Sequence, residues 1–250
     1  MSSPFILWTL QRTGGTNLFN LLCALSDHPS AEHEPFNFNL AQPRQFSKVY
    51  RDWLKFKDPA ALHQICARRL LIKHVYEWFE NDFNAALALA ADRNQYRHIH
   101  LLRRDAVARL VSKGVAEAEG TWYPPDAETV FPKVIKGERR LKPLDIDYLV
   151  RKHEIAERKK LNVTRMHRKL MRCYSICYED LYQGPIYLRF ERLAALTDFL
   201  HIDRSRLDDQ ADLVEQYLVR GGQNTALLLP HIPGINELRA ALGAEGEVLA

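Results

Sequence analysis

The chain has 250 residues, of which 46% are hydrophobic and 26% charged, with 11 glycines and 12 prolines. These values exclude a collagen-like repeat, a low-complexity chain and intrinsic disorder, and the length predicts a single α/β domain over residues 1–250. The net charge of +4 is uneven, because residues 151–172 contain nine Lys or Arg and only two Glu.

The first element is the apolar run from Phe5 to Leu10, which is rich in β-forming residues and predicts a buried strand. It runs into the polar turn Gln11-Arg12-Thr13-Gly14-Gly15-Thr16-Asn17. Leucines then recur at helical spacing up to Leu25. The first 25 residues therefore predict a strand, a tight turn and a helix, without a signal peptide or a membrane span.

Three later segments have the same character as the first strand: Leu70–Lys73, His98–Leu102 and Cys173–Tyr178. Helical patterns lie between them. This alternation predicts a three-layer fold in which helices flank a mostly parallel sheet, with ligands at the carboxyl ends of the strands.

Residues 38–69 and 120–145 are interrupted by prolines and are expected to be loops over a site. A long helix is predicted from Ile146 to Met171, with apolar residues every seven positions and basic residues on its other faces. A solvated helix face explains this charge more simply than a polyanion or a membrane. Two packing helices are expected near 193–200 and 234–242.

The cysteines at positions 23, 66, 173 and 177 have no metal-ligand spacing. We therefore expect no metal site, and a reduced, cytoplasmic protein.

A strand that enters a glycine turn and then a helix directs backbone N–H groups into one concavity, which suits a phosphate group. Gly14 and Gly15 permit close approach, Thr13 and Thr16 offer hydroxyls, and Arg12 supplies charge. A glycine turn that only caps a helix is the alternative. The segment is not a Walker A loop, since no lysine follows the glycines, which disfavours ATP or GTP hydrolysis.

The segment Gln11–Thr16 resembles the loop of sulfotransferases that binds the 5′ end of 3′-phosphoadenosine 5′-phosphosulfate (PAPS). This resemblance implies a fold like that of P-loop nucleotide kinases, and PAPS binding by residues 12 to 17. A second signature of the family is an Arg at a strand end with a Ser eight positions later, which grips the 3′-phosphate. Arg104 and Ser112 match it, although Arg103 and Arg104 could instead be a surface pair.

The segment from Asp27 to Asn37 is similar to the "EPF" region of carbohydrate sulfotransferases and places Glu34 on the family's glutamate. Glu34 is the predicted base for the acceptor hydroxyl, with Glu32 and His33 as competitors. Arg12 is the predicted cation for the developing charge on the leaving group. Lys73 matches a lysine found at a strand end in related bacterial enzymes. In this chain it would bind the acceptor or merely end the strand.

Further similarities are Trp122, Tyr178–Leu181 and Asn236–Leu238, and together the motifs most resemble bacterial nodulation-factor and trehalose sulfotransferases.

Two positions depart from the family: Gly15 replaces a hydroxyl residue, and Arg220 matches a C-terminal phosphate contact only approximately. Aromatic residues in the predicted loops and nearby could contact the acceptor or belong to the core: Tyr50, Trp53, Trp78, Trp122 and Tyr123.

The resemblance thus implies sulfuryl transfer from PAPS to a carbohydrate, glycosylated or small-metabolite hydroxyl, with 3′-phosphoadenosine 5′-phosphate (PAP) as product and no metal. A non-catalytic nucleotide-binding or carrier-recognition module is the alternative. Nucleic acid is not an expected partner, and the acceptor and oligomeric state stay open.

Overall fold

The computed structural model describes residues 1–32, 34–38, 44–220 and 225–246. Residue contacts divide the chain into two compact units. Unit 1 comprises Met1–Leu102 and Arg158–Gly221, and unit 2 comprises Arg103–Glu157 and Gly222–Ala250. Within the described ranges, no helix is both long and apolar enough to cross a membrane.

Unit 1 contains a four-stranded sheet in the order β2-β1-β3-β4, and every neighbouring pair is parallel. The strands are β1 (Phe5–Thr9), β2 (Ile72–Val75), β3 (Arg97–Leu102) and β4 (Cys173–Cys177). The prediction of an α/β chain with a parallel sheet flanked by helices is confirmed. β2 begins two residues later than the apolar run, because Leu71 instead forms an isolated bridge with Ser30.

The α-helices of the described ranges are α1 (Gly15–Leu25), α2 (Ser47–Phe56), α3 (Ala60–Ala67), α4 (Asn81–Arg93), α5 (Ala106–Glu119), α6 (Pro124–Ile135), α7 (Ile146–His167), α8 (Tyr178–Tyr182), α9 (Ile186–Phe199), α10 (Ser205–Asp209), α11 (Ala211–Glu215) and α12 (Ile235–Gly246). Short 3-10 turns cover Tyr76–Trp78 and Thr225–His231, and a π-helical turn covers Gln216–Arg220.

Both segments expected to be loops contain helices, so those two predictions are wrong. In the first, Pro59 stands at the N-cap of α3 and separates it from α2. In the second, prolines occupy the first two positions of α6, where no intrahelical N–H bond is lost. Pro59, Pro124 and Pro125 therefore mark helix starts, whereas Pro132 lies inside α6 and Pro143 lies in irregular chain.

The two faces of the sheet have different chemistry, because side chains alternate along each strand. Ile99 and Leu101 of β3 join an apolar core with the leucines of α1. His98 and His100 lie on the opposite face, and in the register Trp8 pairs with His74 and His100. His167, near the end of α7, packs against this face with its ring centroid 4.9 Å from that of His100.

These four histidine side chains, together with Trp8, form what we call the histidine cluster, and all five are buried. Trp8 Nε1 donates to His98 Nδ1 over 3.1 Å, and His74 Nε2 lies 2.7 Å from Asn84 Oδ1. His98 Nε2 and both ring nitrogens of His167 have no hydrogen-bond partner among the described residues. The cluster is thus a buried polar layer with incomplete hydrogen bonding.

Unit 2 has its own apolar core, which includes Leu110, Val115, Phe131 and Leu228. The long helix predicted to reach Met171 ends at His167. Its heptad positions Leu149, Ala156 and Val163 are buried, as the periodicity predicts, whereas Leu170 lies beyond the helix end and is only half-buried.

Candidate functional site

The polar turn between β1 and α1 has an unusual backbone at two positions. Arg12 has φ 61°, and Gly14, the N-cap of α1, has φ 76°. The residue at the N-cap supplies no side-chain hydrogen bond to the helix. Since the first-turn N–H groups of a helix have no partner inside the helix, the start of α1 suits an anion.

Both glycines of the turn are required by their surroundings. A Cβ atom at Gly14 would lie 2.8 Å from Cδ2 of Tyr178, in addition to the cost of its left-handed backbone. A Cβ atom at Gly15 would lie 2.9 Å from Cγ2 of Thr9. A side chain at position 15 would therefore clash with Thr9, and Tyr178 packs on the turn.

The Thr13 side chain is fully buried beneath the turn. Its hydroxyl donates to the carbonyl of Leu10 over 2.7 Å and contacts the Thr9 hydroxyl. This hydroxyl therefore holds the turn in shape from inside. A ligand in the concavity would meet the backbone of Thr13 rather than its side chain.

Lys73 connects three segments of unit 1. Its Nζ donates to Oε1 of Glu34 over 2.7 Å and to Oγ1 of Thr16 over 2.9 Å. The Lys73 and Glu34 side chains are 5% and 11% exposed. The interpretation of Lys73 as a strand end is wrong, because it is the second residue of β2 and the strand continues to Val75.

Burial lowers the pKa of the Lys73 amine, the Glu34 carboxylate opposes this shift, and the nearby Arg12 guanidinium lowers the pKa further. Glu34 has φ 57°, and its second oxygen accepts from Asn37 Nδ2 over 3.2 Å. Arg12, Thr16, Lys73 and Glu34 therefore form one electrostatically coupled group beside the turn, which we call the turn site.

Two further groups at the turn site were missed by sequence reasoning. Glu77 Oε1 accepts from the backbone N–H of Gln11 over 2.6 Å, and Asn37 orients Glu34 as described. Glu77 follows β2 just as Gln11 follows β1, and these strands are neighbours. Sequence spacing gives no sign of this contact, because strand order decides it.

Glu32 and His33 are the alternatives to Glu34 as the base for the acceptor hydroxyl. Glu32 is exposed and has φ 64°, and it forms no hydrogen bond or ion pair with the described residues of the turn site. His33 lies outside the described residues. Of the two candidates that the structure describes, Glu34 is therefore the one at the turn site.

Arg104 and Ser112 belong to unit 2. Arg104 is exposed and precedes Asp105, whose side chain caps α5 by accepting from Ala108 N over 2.8 Å. Ser112, the seventh residue of α5, is nearly buried, and its Oγ lies 3.4 Å from Oγ1 of Thr225. The Arg220 side chain lies outside the described residues.

No family model, curated protein or solved structure matches the chain.

The aromatic residues divide into two groups. Tyr50 and Trp53 are buried in unit 1 and pack edge to face on Phe83, so they are packing elements. In unit 2, Trp122 follows the left-handed C-cap of α5 at Gly120, and the rings of Trp122 and Tyr123 are exposed. Trp78, the fifth aromatic residue named above, is half-buried, so Trp122 and Tyr123 have the most ring surface available to a ligand.

Proposed function

We propose that the chain is a sulfotransferase that moves a sulfuryl group from PAPS to a hydroxyl of a carbohydrate, glycosylated or small-metabolite acceptor. The observation that carries this proposal is the turn site. There a glycine turn at a helix start lies beside a buried lysine that contacts both the helix start and a carboxylate.

Donor binding in this proposal uses the amides around Gly14 and Gly15 for the 5′-phosphosulfate end. The helix dipole and the fixed charge of Arg12 add to the attraction. Thr16 and Asn17, the second and third residues of α1, complete this set. Arg104 and Ser112 are assigned to the 3′-phosphate on their motif alone, and Arg220 stays a weaker candidate.

In the chemical step, the acceptor oxygen attacks sulfur in line, and the bond between sulfur and the 5′-phosphate oxygen breaks. Glu34 accepts the acceptor's hydroxyl proton, and PAP leaves with the electron pair of the broken bond. Lys73 and Arg12 stabilise the negative charge that develops on the transferred group and the leaving oxygen. Lys73 also holds the Glu34 carboxylate in position, with Nζ 2.7 Å from Oε1.

The test is calorimetric binding of PAP to the wild type and to Arg104→Ala, with adenosine 5′-monophosphate as control ligand. Arg103→Ala is the matched variant, since it removes the neighbouring guanidinium. We expect PAP to bind the wild type and Arg103→Ala, and binding to be strongly weakened in Arg104→Ala and for the monophosphate. Failure of the wild type to bind PAP would overturn the proposal.

One observation favours a non-catalytic nucleotide-binding module: both oxygens of Glu34 have partners, Lys73 and Asn37. A purely structural Glu34 would look the same. Reverse transfer from p-nitrophenyl sulfate to PAP separates the two functions, because it releases coloured p-nitrophenol and requires no natural acceptor. PAP binding without this turnover would favour the binding module.

A further inference from the structure

The end of α7 and the residues after it carry a concentrated positive charge. Residues 158–172 contain seven Lys or Arg and no Asp or Glu, whereas the chain as a whole has a net charge of +4. Four of these basic residues are exposed, namely Arg158, Arg165, Arg168 and Lys169. We call them, with the exposed Leu161 between them, the basic stripe.

Helical spacing places the part of the basic stripe that belongs to α7 on one side of the helix. Arg158, Leu161 and Arg165 are three and four residues apart, so they lie within one sector at 3.6 residues per turn, and Arg168 and Lys169 follow the helix end at His167. Backbone hydrogen bonding continues past the helix end, since Arg168 N donates to Thr164 O over 3.1 Å. Val163 and His167 occupy the opposite, buried side.

Two of the three other basic residues of this segment have partners within unit 1. Lys159 donates to the carbonyl of Phe79, and Arg172 lies 3.2 Å from Asp92. Among the described residues, none of the four basic side chains of the stripe forms a salt bridge. Their charge is therefore presented to the solvent rather than neutralised by the protein.

Exposed aliphatic side chains accompany these charges. Leu161 is 49% exposed, and Met171, just beyond the stripe, is 92% exposed. A solvated helix face does not require such residues. Basic residues interleaved with aliphatic ones are typical of helices that lie in the interface of a bilayer. Surfaces that bind single-stranded nucleic acid instead add aromatic rings for base stacking, and the stripe contains no aromatic residue.

We propose that the basic stripe docks this protein onto a bilayer surface that contains anionic lipids. The four basic side chains contact lipid headgroups, and Leu161 and Met171 enter the interfacial layer. Each basic residue near such a surface strengthens binding by about fivefold at low ionic strength. This inference does not depend on the proposed function, because the turn site takes no part in it.

Co-sedimentation of the full chain with vesicles tests the proposal. We expect binding to vesicles of equal parts phosphatidylcholine and phosphatidylserine, little binding to phosphatidylcholine alone, and release at high salt. Arg158→Glu with Arg165→Glu should weaken binding by more than about tenfold. Lys136→Glu with Lys142→Glu, which changes net charge equally at exposed positions of unit 2, should leave binding nearly unchanged.

A second pair of measurements keeps the test decisive. Far-ultraviolet circular dichroism checks the fold of the reversal variant, and Arg158→Gln with Arg165→Gln replaces it if the reversals unfold the chain. Leu161→Ser should weaken vesicle binding by roughly tenfold, because it removes apolar burial. Binding of the wild type to no vesicle, or equal loss in both charge-reversal pairs, would overturn the proposal. So would tight binding to duplex DNA together with vesicle binding that Leu161→Ser leaves unchanged.

Discussion

Lys73 and Glu34, 39 residues apart in the sequence, form a buried ion pair in which Nζ lies 2.7 Å from Oε1. Lys57 and Asp82 form a pair with the same distance, but their side chains are about half exposed. The two pairs differ mainly in access to water. This difference decides how much each pair matters for stability.

Lys73→Met leaves the Glu34 carboxylate buried without its cation. We expect this to lower the free energy of unfolding by about 3 to 5 kcal/mol, as for other buried pairs that lose one partner. Lys57→Met, the matched control, should cost less than about 1 kcal/mol because water screens that pair. Urea unfolding measures both. Equal effects of the two substitutions would contradict the inferred role of burial.

Glu34→Gln retains the shape of the side chain and removes its ability to accept a proton. Under the proposed function, turnover should fall by about 10² to 10⁴-fold while PAP still binds. Glu32→Gln is the control, since that side chain is exposed, and it should retain full turnover. Reverse transfer from p-nitrophenyl sulfate measures the rate and calorimetry the binding. Unchanged turnover in Glu34→Gln would remove Glu34 as the base.

Gly15→Ala places a methyl group against the buried Thr9 side chain, which a Cβ would approach to 2.9 Å. We expect a loss of about 1 to 3 kcal/mol of stability, because the turn or Thr9 must shift. Thr9→Ala in the same chain should restore part of this loss by removing Cγ2. Gly243→Ala, where a Cβ would meet nothing within 4 Å, should not destabilise the protein. Thermal unfolding of the three variants provides the comparison.

The histidine cluster predicts a loss of stability in mild acid. Burial lowers the pKa of His74, His98 and His100 to about 4, and that of His167 to about 2, against an ordinary value of 6.5. The unfolded chain therefore binds more protons than the folded chain below about pH 6.5. The free energy of unfolding therefore decreases as the pH falls from about 6.5 towards 4. The decrease is about 1.4 kcal/mol per pH unit for each histidine.

Urea unfolding between pH 7 and pH 4 measures this dependence. His167→Gln removes one buried titrating ring and should make the dependence shallower, whereas His63→Gln, at a half-buried site outside the cluster, should not. A pH dependence that is the same in the wild type and in His167→Gln would show that the cluster does not cause it.

Local patterns in the sequence were enough to predict the elements that position the turn. The apolar run of β1, the glycines that follow and the leucines of α1 each lie within one short segment. The heptad positions of α7 were likewise predicted, because period and burial are both properties of a single helix. The helices at Ala60–Ala67 and Pro124–Ile135 were missed, since prolines at a helix start resemble those of a loop.

The sequence by itself determined that a glycine turn follows the first strand and that basic residues cover one helix. Only the tertiary structure decided that Lys73 meets Glu34 and Thr16, and that Glu77 meets Gln11. The physical reason is strand order. Placing β2 beside β1 brings residues about 60 positions apart to one edge of the sheet, and no local pattern encodes that neighbour relation.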